Sequence, residues 1–341
     1  MGSLGAPAPV NQPPVSKAPH GLLSTADEAR DPAGTRWMPG FEFQPRFCGL
    51  GGVWVPCADF VPRNLGLGGD GSGSGEQTKP DEDSNGIVRF IPYVVWDQFT
   101  CSSRGFEVAE YQDTARASIE LTQDKQIEYE FWTGAAMTAA GNDALGDPIE
   151  NMSLMATTPA GGVLNPGWDG GAGVPQAVSP KHGLALLQQG LANCGPGTRG
   201  MIHATPYLAD LWGMDTYIAD SGGRLTTMTR GTLVVSGAGY TGEGPDIVPA
   251  LTPPAGSRYV WAYATGLPEW RLSEVQLVPL TPDGRNFADN LRSAIDRKNN
   301  RVTFRSERFA AAVWNTCCTI AVLIDLCADG CNTSTPGSSG S

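Results

Sequence analysis

The sequence has no apolar run long enough to cross a bilayer. Its longest uninterrupted aliphatic stretch lies near Ile320 to Ile324, far short of the roughly 20 residues that a spanning helix needs. An N-terminal apolar run of signal-peptide type is missing too, so the expectation is a soluble protein made in the cytoplasm, without a membrane partner. Its eight cysteines contain no Cys-x-x-Cys. Cys317 and Cys318 are adjacent and would point to opposite faces of a strand, so no shared metal centre is expected, and the thiols read as reduced core fillers. A nucleophile elbow is also lacking. The nearest pattern, GSGSGE from Gly71 to Glu76, has neither the strand before it nor the helix after it. The GPGTRG run from Gly195 to Gly200 follows a helix instead of a strand and lacks the residues of a phosphate loop, which makes it a helix-ending turn. His20, His182 and His203 have no Cys, Asp or Glu at ligand or nucleophile spacing. No catalytic residue, cofactor or metal is therefore assigned, and the chain is not expected to be an enzyme.

Charge is scarce as well. Only 17% of the 341 residues are charged, whereas Gly numbers 44 and Pro 27. Such a chain must be rich in turns, or covered by neighbours in place of water. The net charge of −12, from 35 acidic and 23 basic residues, argues against a nucleic-acid reader, whose affinity comes from neutralised phosphates. Loose proximity to DNA stays open.

What is present is organised around one segment, Phe106 to Gly134, which has no internal Pro or Gly. Tyr111, Ala115, Ile119, Ile127 and Phe131 recur at steps of four or eight, so the pattern predicts a single long amphipathic helix ended by Gly134. Before it, residues 1–40 are rich in Pro, Ala and Gly without periodicity and read as an arm unable to pack by itself. Residues 41–100 place strand-type runs (FEFQPRF, GGVWVPCADFV, IVRFIPYVVWDQF) on either side of a polar loop, Gly66 to Gly86, and read as a two-stranded excursion. The region Ala135 to Val178 gives no assignment.

Beyond it, Ser179 and Pro180 predict a helix start, with Leu184, Leu187 and Leu191 on one face and Gly195 closing it. MIHA is a buried strand, and Thr205-Pro206 opens a short helix carrying Leu208, Leu211 and Trp212. A strand follows at about Leu233 to Ser236 between glycine turns, then two more in YVWAYATGLPEWRLSEVQLVPL. FADNLRSAIDRKNN, between Arg285 and Arg301, reads as a short helix. RVTFRSERFAAAVWNTCCTIAVLIDL reads as two strands with a bend near Ala310 to Asn315. The fold class is α+β.

This succession resembles the major capsid proteins of tailed bacteriophages with the Hong Kong 97-type fold, in particular those of actinobacteriophages; encapsulins share that fold. The resemblance runs from about Phe41 to Asp325. It is carried by the long acidic helix ending in FWTG, by GLALLQQGLANCG leading into MIHATPYLADLW, by GGRLTTMTRGTLVVSGAGYTG, by WAYATGLPEWRLSEVQL and by the closing RVTFRSERFAAAVWNTCCTIAVLID. It implies an N-terminal arm over 1–40, an extended β-hairpin loop over 41–100 and a peripheral domain over 101–204 with a spine helix at 106–134. An axial domain would follow over 205–284, a return to the peripheral domain over 285–325 and a tail over 326–341. It further implies self-assembly as hexamers and pentamers into an icosahedral virion head enclosing double-stranded DNA, built in the host bacterial cytoplasm. Decoration, portal and scaffolding proteins are the further partners it allows.

Two sets of residues carry candidate roles. Arg285, Arg292, Arg297, Lys298, Arg301, Arg305 and Arg308 form the one local basic excess, against only Asp289, Asp296 and Glu307. They could pair with the acidic helix (Glu107, Glu110, Asp113, Glu120, Asp124, Glu128, Glu130), within or between subunits, or face packaged DNA; pairing is favoured, because charge matching fixes register between identical subunits. Lys79, at the tip of the extended loop, matches a lysine that some family members cross-link to a neighbour's asparagine, although no partner motif is evident. Two other readings compete with a phage head: an encapsulin-type compartment shell, and a soluble α+β enzyme. A tail-tube or decoration protein fits less well, since neither needs so long a helix.

Overall fold

A stretch free of helix breakers becomes the longest element among the described residues. The computed structural model describes residues 19–29, 41–43, 88–102, 108–140, 153–155, 163–166, 175–194, 200–245, 258–281, 295–296, 298–314 and 318–328. The first half holds α1 (Leu22–Thr25), β1 (Asp27–Glu28), β2 (Phe41–Phe43), β3 (Val88–Phe90), β4 (Tyr93–Ser102), α2 (Val108–Thr133) and α3 (Ala135–Ala140). The second holds α4 (Pro180–Asn193), β5 (Gly200–Ala204), α5 (Pro206–Met214), β6 (Ile218–Ser221), β7 (Arg224–Thr227) and β8 (Leu233–Ser236). It closes with β9 (Tyr259–Gly266), β10 (Glu269–Leu272), β11 (Gln276–Leu280), β12 (Ile295–Asp296), β13 (Arg301–Val313) and β14 (Ile320–Asp325).

The 26 residues of α2 give a rod of about 39 Å. It stops where Gly134 turns left-handed and donates its N–H to the Glu130 carbonyl at 2.8 Å. Tyr111, Ala115, Ile119, Ile127 and Phe131 are all buried. The missing step in that stripe is Gln123, also buried, whose side chain accepts from Arg308.

The first sheet is built on β13. Along one edge it pairs antiparallel with β4, from Arg301↔Ser102 to Ala310↔Tyr93. Along the other, β12, β11 and β10 follow one another end to end, and β1 adds to β10 in parallel. Because side chains alternate, Val302, Phe304, Ser306 and Arg308 face α2 while Arg301, Thr303, Arg305 and Glu307 face away. Tyr111 and Ala115 pack on Val302 and Phe304, and the Ser306 hydroxyl donates to the Ala115 carbonyl at 2.9 Å. Among the described residues β4 is an edge strand, and Gln126 covers part of its rim: its Oε1 accepts the Trp96 N–H at 3.3 Å and its amide donates to the Trp96 carbonyl at 3.1 Å.

The second sheet has the order β14-β9-β5-β8-β7-β6, all antiparallel except β5 with β8. It is covered on both faces, which is why every residue of β5 and β14 is buried, without alternation. Ile202, Ala204, Ala262, Ala264, Ile320, Val322 and Ile324 pack against Leu184, Leu187 and Leu191 of α4 and Leu208 and Trp212 of α5. The opposite face, Met201, Trp261, Tyr263, Ala321 and Leu323, joins Ile127, Phe131 and Trp132 of α2 in a core shared with the first sheet. Trp132 lies 4.8 Å from the Tyr240 ring and 5.0 Å from that of Tyr263. One helix thus anchors both sheets.

Several expectations are corrected. Part of the arm packs on its own chain: Leu22 and Leu23 are buried in the shared core, and β1 extends the first sheet. Two adjacent leucines and a carboxylate waiting for the Leu22 N–H outweigh the lack of periodicity. The predicted helix between Arg285 and Arg301 is absent over 295–296 and 298–300, where β12 and a turn precede β13. There Asp296 accepts from the N–H groups of Lys298 and Asn299 at 3.0 and 3.3 Å, a local bond that competes with helix.

The strands also do not divide at 204 and 284: β5 and β14 belong to the second sheet, β10 and β11 to the first. β2 and β3 pair as the excursion requires, Phe41↔Phe90 to Phe43↔Val88, whereas β4 leaves it for the first sheet; residues 44–87 lie outside the described residues. Cys194 and Cys318, read as thiols, form a disulfide across 124 residues, and Cys327 is disulfide-bonded too. Packing of α4 on β14 brings the first pair together, which spacing along the chain does not reveal. The β6–β7 hairpin, turned by Gly222 and Gly223 at positive φ, went unpredicted although the adjacent glycines are its signal.

Candidate assembly surface

Strand parity separates the arginines. On β13 the outward positions are odd, and there the Arg305 guanidinium lies 4.9 Å from the Trp96 ring centroid. Its Nε is 3.0 Å from Glu307 Oε2 but its N–H is not aimed at that oxygen, so the contact is an ion pair and not a hydrogen bond. Beside it the β4 side chains Val94 and Trp96 are 41% and 49% exposed. Phe309 and Val278, paired on the same face, are half-buried, and Arg301 is exposed at the start of β13. The outer face of the first sheet therefore carries an apolar and aromatic strip, Val94, Trp96, Phe309 and Val278, beside Arg305 and Glu307, with exposed Gln98, Thr100 and Gln276 among them and Thr303 and Leu280 buried at one end.

Arg308, at an even position, points the other way. Its Nη1 donates to Gln123 Oε1 at 3.0 Å, its Nε to the Ser273 carbonyl at 2.8 Å, and its Nη2 to the same carbonyl. Burial lowers its pKa from the usual arginine value, and the charges of Glu120 and Asp124 pull it back up. This arginine thus meets the acidic helix inside its own chain. On the solvent side of α2, Glu110 lies in the first turn, where the helix dipole favours it, and Asp113 pairs with Arg116 at 3.1 Å. Glu120 is exposed and Asp124 buried. Arg285, Arg292, Arg297, Glu107 and Lys79 lie outside the described residues.

Glu128 does not join an arginine. Fully buried, its Oε1 accepts the Leu22 N–H at 2.9 Å and its Oε2 the Gly239 N–H at 3.0 Å. Burial raises its pKa, backbone donors at Leu22, Gly239 and Ala238 oppose that shift, and the Asp124 charge adds to it. One carboxylate so ties the N-terminal segment and the loop after β8 to the helix. Gly239 is pressed onto α2: a Cβ there would come 2.2 Å from the Lys125 carbonyl oxygen and 2.6 Å from the Tyr129 nitrogen. The GAGYTG run signalled a turn; nothing in it signalled this contact.

His203 is buried between the sheets. Thr265 donates its hydroxyl hydrogen to the Gly266 carbonyl at 2.7 Å, so it accepts from His203 Nε2 at 2.9 Å, and Nδ1 accepts from the Tyr240 hydroxyl at 3.0 Å. Both ring nitrogens are satisfied with the imidazole neutral, and burial pushes its pKa down to about 3. This is a packed core histidine. Among the described residues no group of three or more His, Cys, Asp or Glu is placed to hold a metal ion, and no helix is long and apolar enough to cross a membrane.

No protein-family model matches the sequence, and no curated protein does. Among solved structures, the chain is similar to one from the capsid of a native GTA particle, at 12% identity and a TM-score of 0.49, over 95% of this chain and 96% of that one. It is similar to a chain of Mycobacterium phage Ogopogo at 14% identity and a TM-score of 0.44, over 94% and 97%. An encapsulin complex from Synechococcus elongatus gives 10% identity and a TM-score of 0.40, over 71% and 76%.

Proposed function

We propose that this chain is the major capsid protein of a tailed phage, with a Hong Kong 97-type fold, and that its copies assemble as hexamers and pentamers into the icosahedral head around double-stranded DNA. The observation that carries the reading is the outer face of the first sheet, where Val94 and Trp96 are exposed and continue into half-buried Phe309, Arg305 and Val278. Exposed Tyr207, Met214 and Met228 in and after α5, on a chain with 17% charge, add to the same need for neighbours. The role is structural, with no catalytic step assigned. In this reading the first sheet with α2 is the peripheral body and the second sheet with α4 and α5 the axial one. Arg301 and Arg305 would meet acidic α2 residues such as Glu110, Asp113 and Glu120 of a second copy. A compartment shell of encapsulin type is the second reading, supported by the same outer face.

Negative-stain microscopy of the expressed chain tests assembly: shells are expected, and a chain that stays monomeric at micromolar concentration overturns the reading. Nucleic acid inside particles from infected cells separates a phage head from a compartment, which would hold a cargo protein.

A further inference from the structure

The Cys194–Cys318 bond sits at the end of a seam that other contacts already close. α4 lies directly on β14: a Cβ on Gly183 would come 2.7 Å from the Ile324 side chain, and one on Gly190 2.8 Å from that of Ile320. Leu184, Leu187 and Leu191 fill the layer beside them. Upstream of α4, the Val178 N–H donates to the Leu323 carbonyl at 3.1 Å and the Asp325 N–H to the Val178 carbonyl at 2.8 Å. Asn165 grips the same strand, donating to the Leu323 carbonyl and accepting its N–H, both at 2.8 Å. None of these contacts involves sulfur. They hold the end of α4 over the start of β14, where Cys194 and Cys318 meet.

We propose that this disulfide is a redox lock fastened onto a chain that has already folded. The reduced protein takes the same fold, and oxidation by a small-molecule disulfide adds stability afterwards. Cys318 is 3% exposed and Cys194 half-buried, so the reaction begins at Cys194. Its thiolate attacks the small disulfide, forming a mixed disulfide and releasing one small thiolate. The Cys318 thiolate then attacks Cys194 Sγ, forming the Sγ–Sγ bond and releasing the second. Two protons leave the protein thiols, and the two electrons end on the two small thiols.

The lock acts by restricting the unfolded chain over the 124 residues between its ends. For a chain of this length, that restriction shifts the melting midpoint by about 6 °C. The test compares the full-length chain with its Cys194→Ala/Cys318→Ala double variant, each melted after treatment with glutathione disulfide and again in excess dithiothreitol. Comparing the two redox shifts cancels the bond at Cys327 and the packing cost of the substitutions. The expected result is native circular dichroism for the reduced parent, a Cys194–Cys318 linked peptide after oxidation, and a redox shift about 6 °C larger in the parent. A reduced parent that fails to fold, an oxidised parent without the linked peptide, or equal redox shifts in both proteins would overturn the proposal.

Discussion

Lowering the pH from 7.5 to 5.0 should destabilise the subunit through His203 by an amount that the structure fixes. The folded imidazole has its pKa near 3 because burial penalises the cation, while the unfolded chain titrates near 6.5. A group whose folded pKa is depressed in this way favours the unfolded state as soon as the unfolded copy protonates. Its contribution is complete above pH 6.5 and is lost as pH falls toward 3. At pH 7.5 the unfolded histidine is almost neutral; at pH 5.0 it is almost fully charged, whereas the folded one remains neutral. The difference is about 2 kcal/mol, from one proton taken up over 1.5 pH units below the unfolded pKa. His203→Gln supplies an amide that can donate toward Thr265 and accept from Tyr240 but cannot titrate. Urea unfolding followed by tryptophan fluorescence at both pH values measures the loss in each protein. Glu128, whose raised pKa works in the opposite direction, is present in both and cancels. The parent should lose about 2 kcal/mol more than the variant; equal losses would mean that the folded imidazole accepts a proton at pH 5, and the reasoning would fail.

Three further outcomes follow from the geometry. Gly239→Ala forces a methyl group onto the α2 backbone and should cost about 3 kcal/mol in urea unfolding, the upper range for overpacking, because neither the Lys125 carbonyl nor the Tyr129 N–H can move aside. Glu128→Ala leaves the Leu22 and Gly239 N–H groups without their acceptor, at about 1–3 kcal/mol for each donor that stays dry; limited proteolysis should then cut within 19–29 first. The two arginines should part company: Arg305→Glu lowers shell yield and, by setting a carboxylate beside half-buried Glu307, costs the subunit only about 1 kcal/mol, whereas Arg308→Glu sets a carboxylate beside Glu120 and Asp124 and should cost the subunit on the order of 3 kcal/mol. Sedimentation for the first and thermal melting for the second distinguish them.

The elements were legible wherever one local signal governed them. Ser179-Pro180 starts α4, with the Ser179 hydroxyl oxygen accepting the His182 N–H, and Thr205-Pro206 starts α5, although Thr205 makes no side-chain cap. Where two local signals competed, as at Asp296, periodicity lost to a side-chain bond. What sequence could not supply was partnership at long range: that β14 pairs with β9 and not with β13, that Leu22 finds Glu128 across 106 residues, and that Cys194 finds Cys318. The candidate surface was half legible. Strand parity, available from the sequence, would have sent Arg305 outward and Arg308 inward; that Trp96 lies beneath Arg305 needed the register of β4 on β13.

The Gln126 amide at the rim of β4 has a consequence for how such a molecule can multiply contacts safely. A bare strand border invites another strand, then another, and a species concentrated enough to build a container would drift into open-ended ribbons. By satisfying both backbone groups of Trp96, one glutamine blocks that border at its middle while leaving the indole half exposed. If the chain builds a shell as proposed, growth would be steered toward surfaces that can close upon themselves, and away from a direction in which nothing would ever tell it to stop.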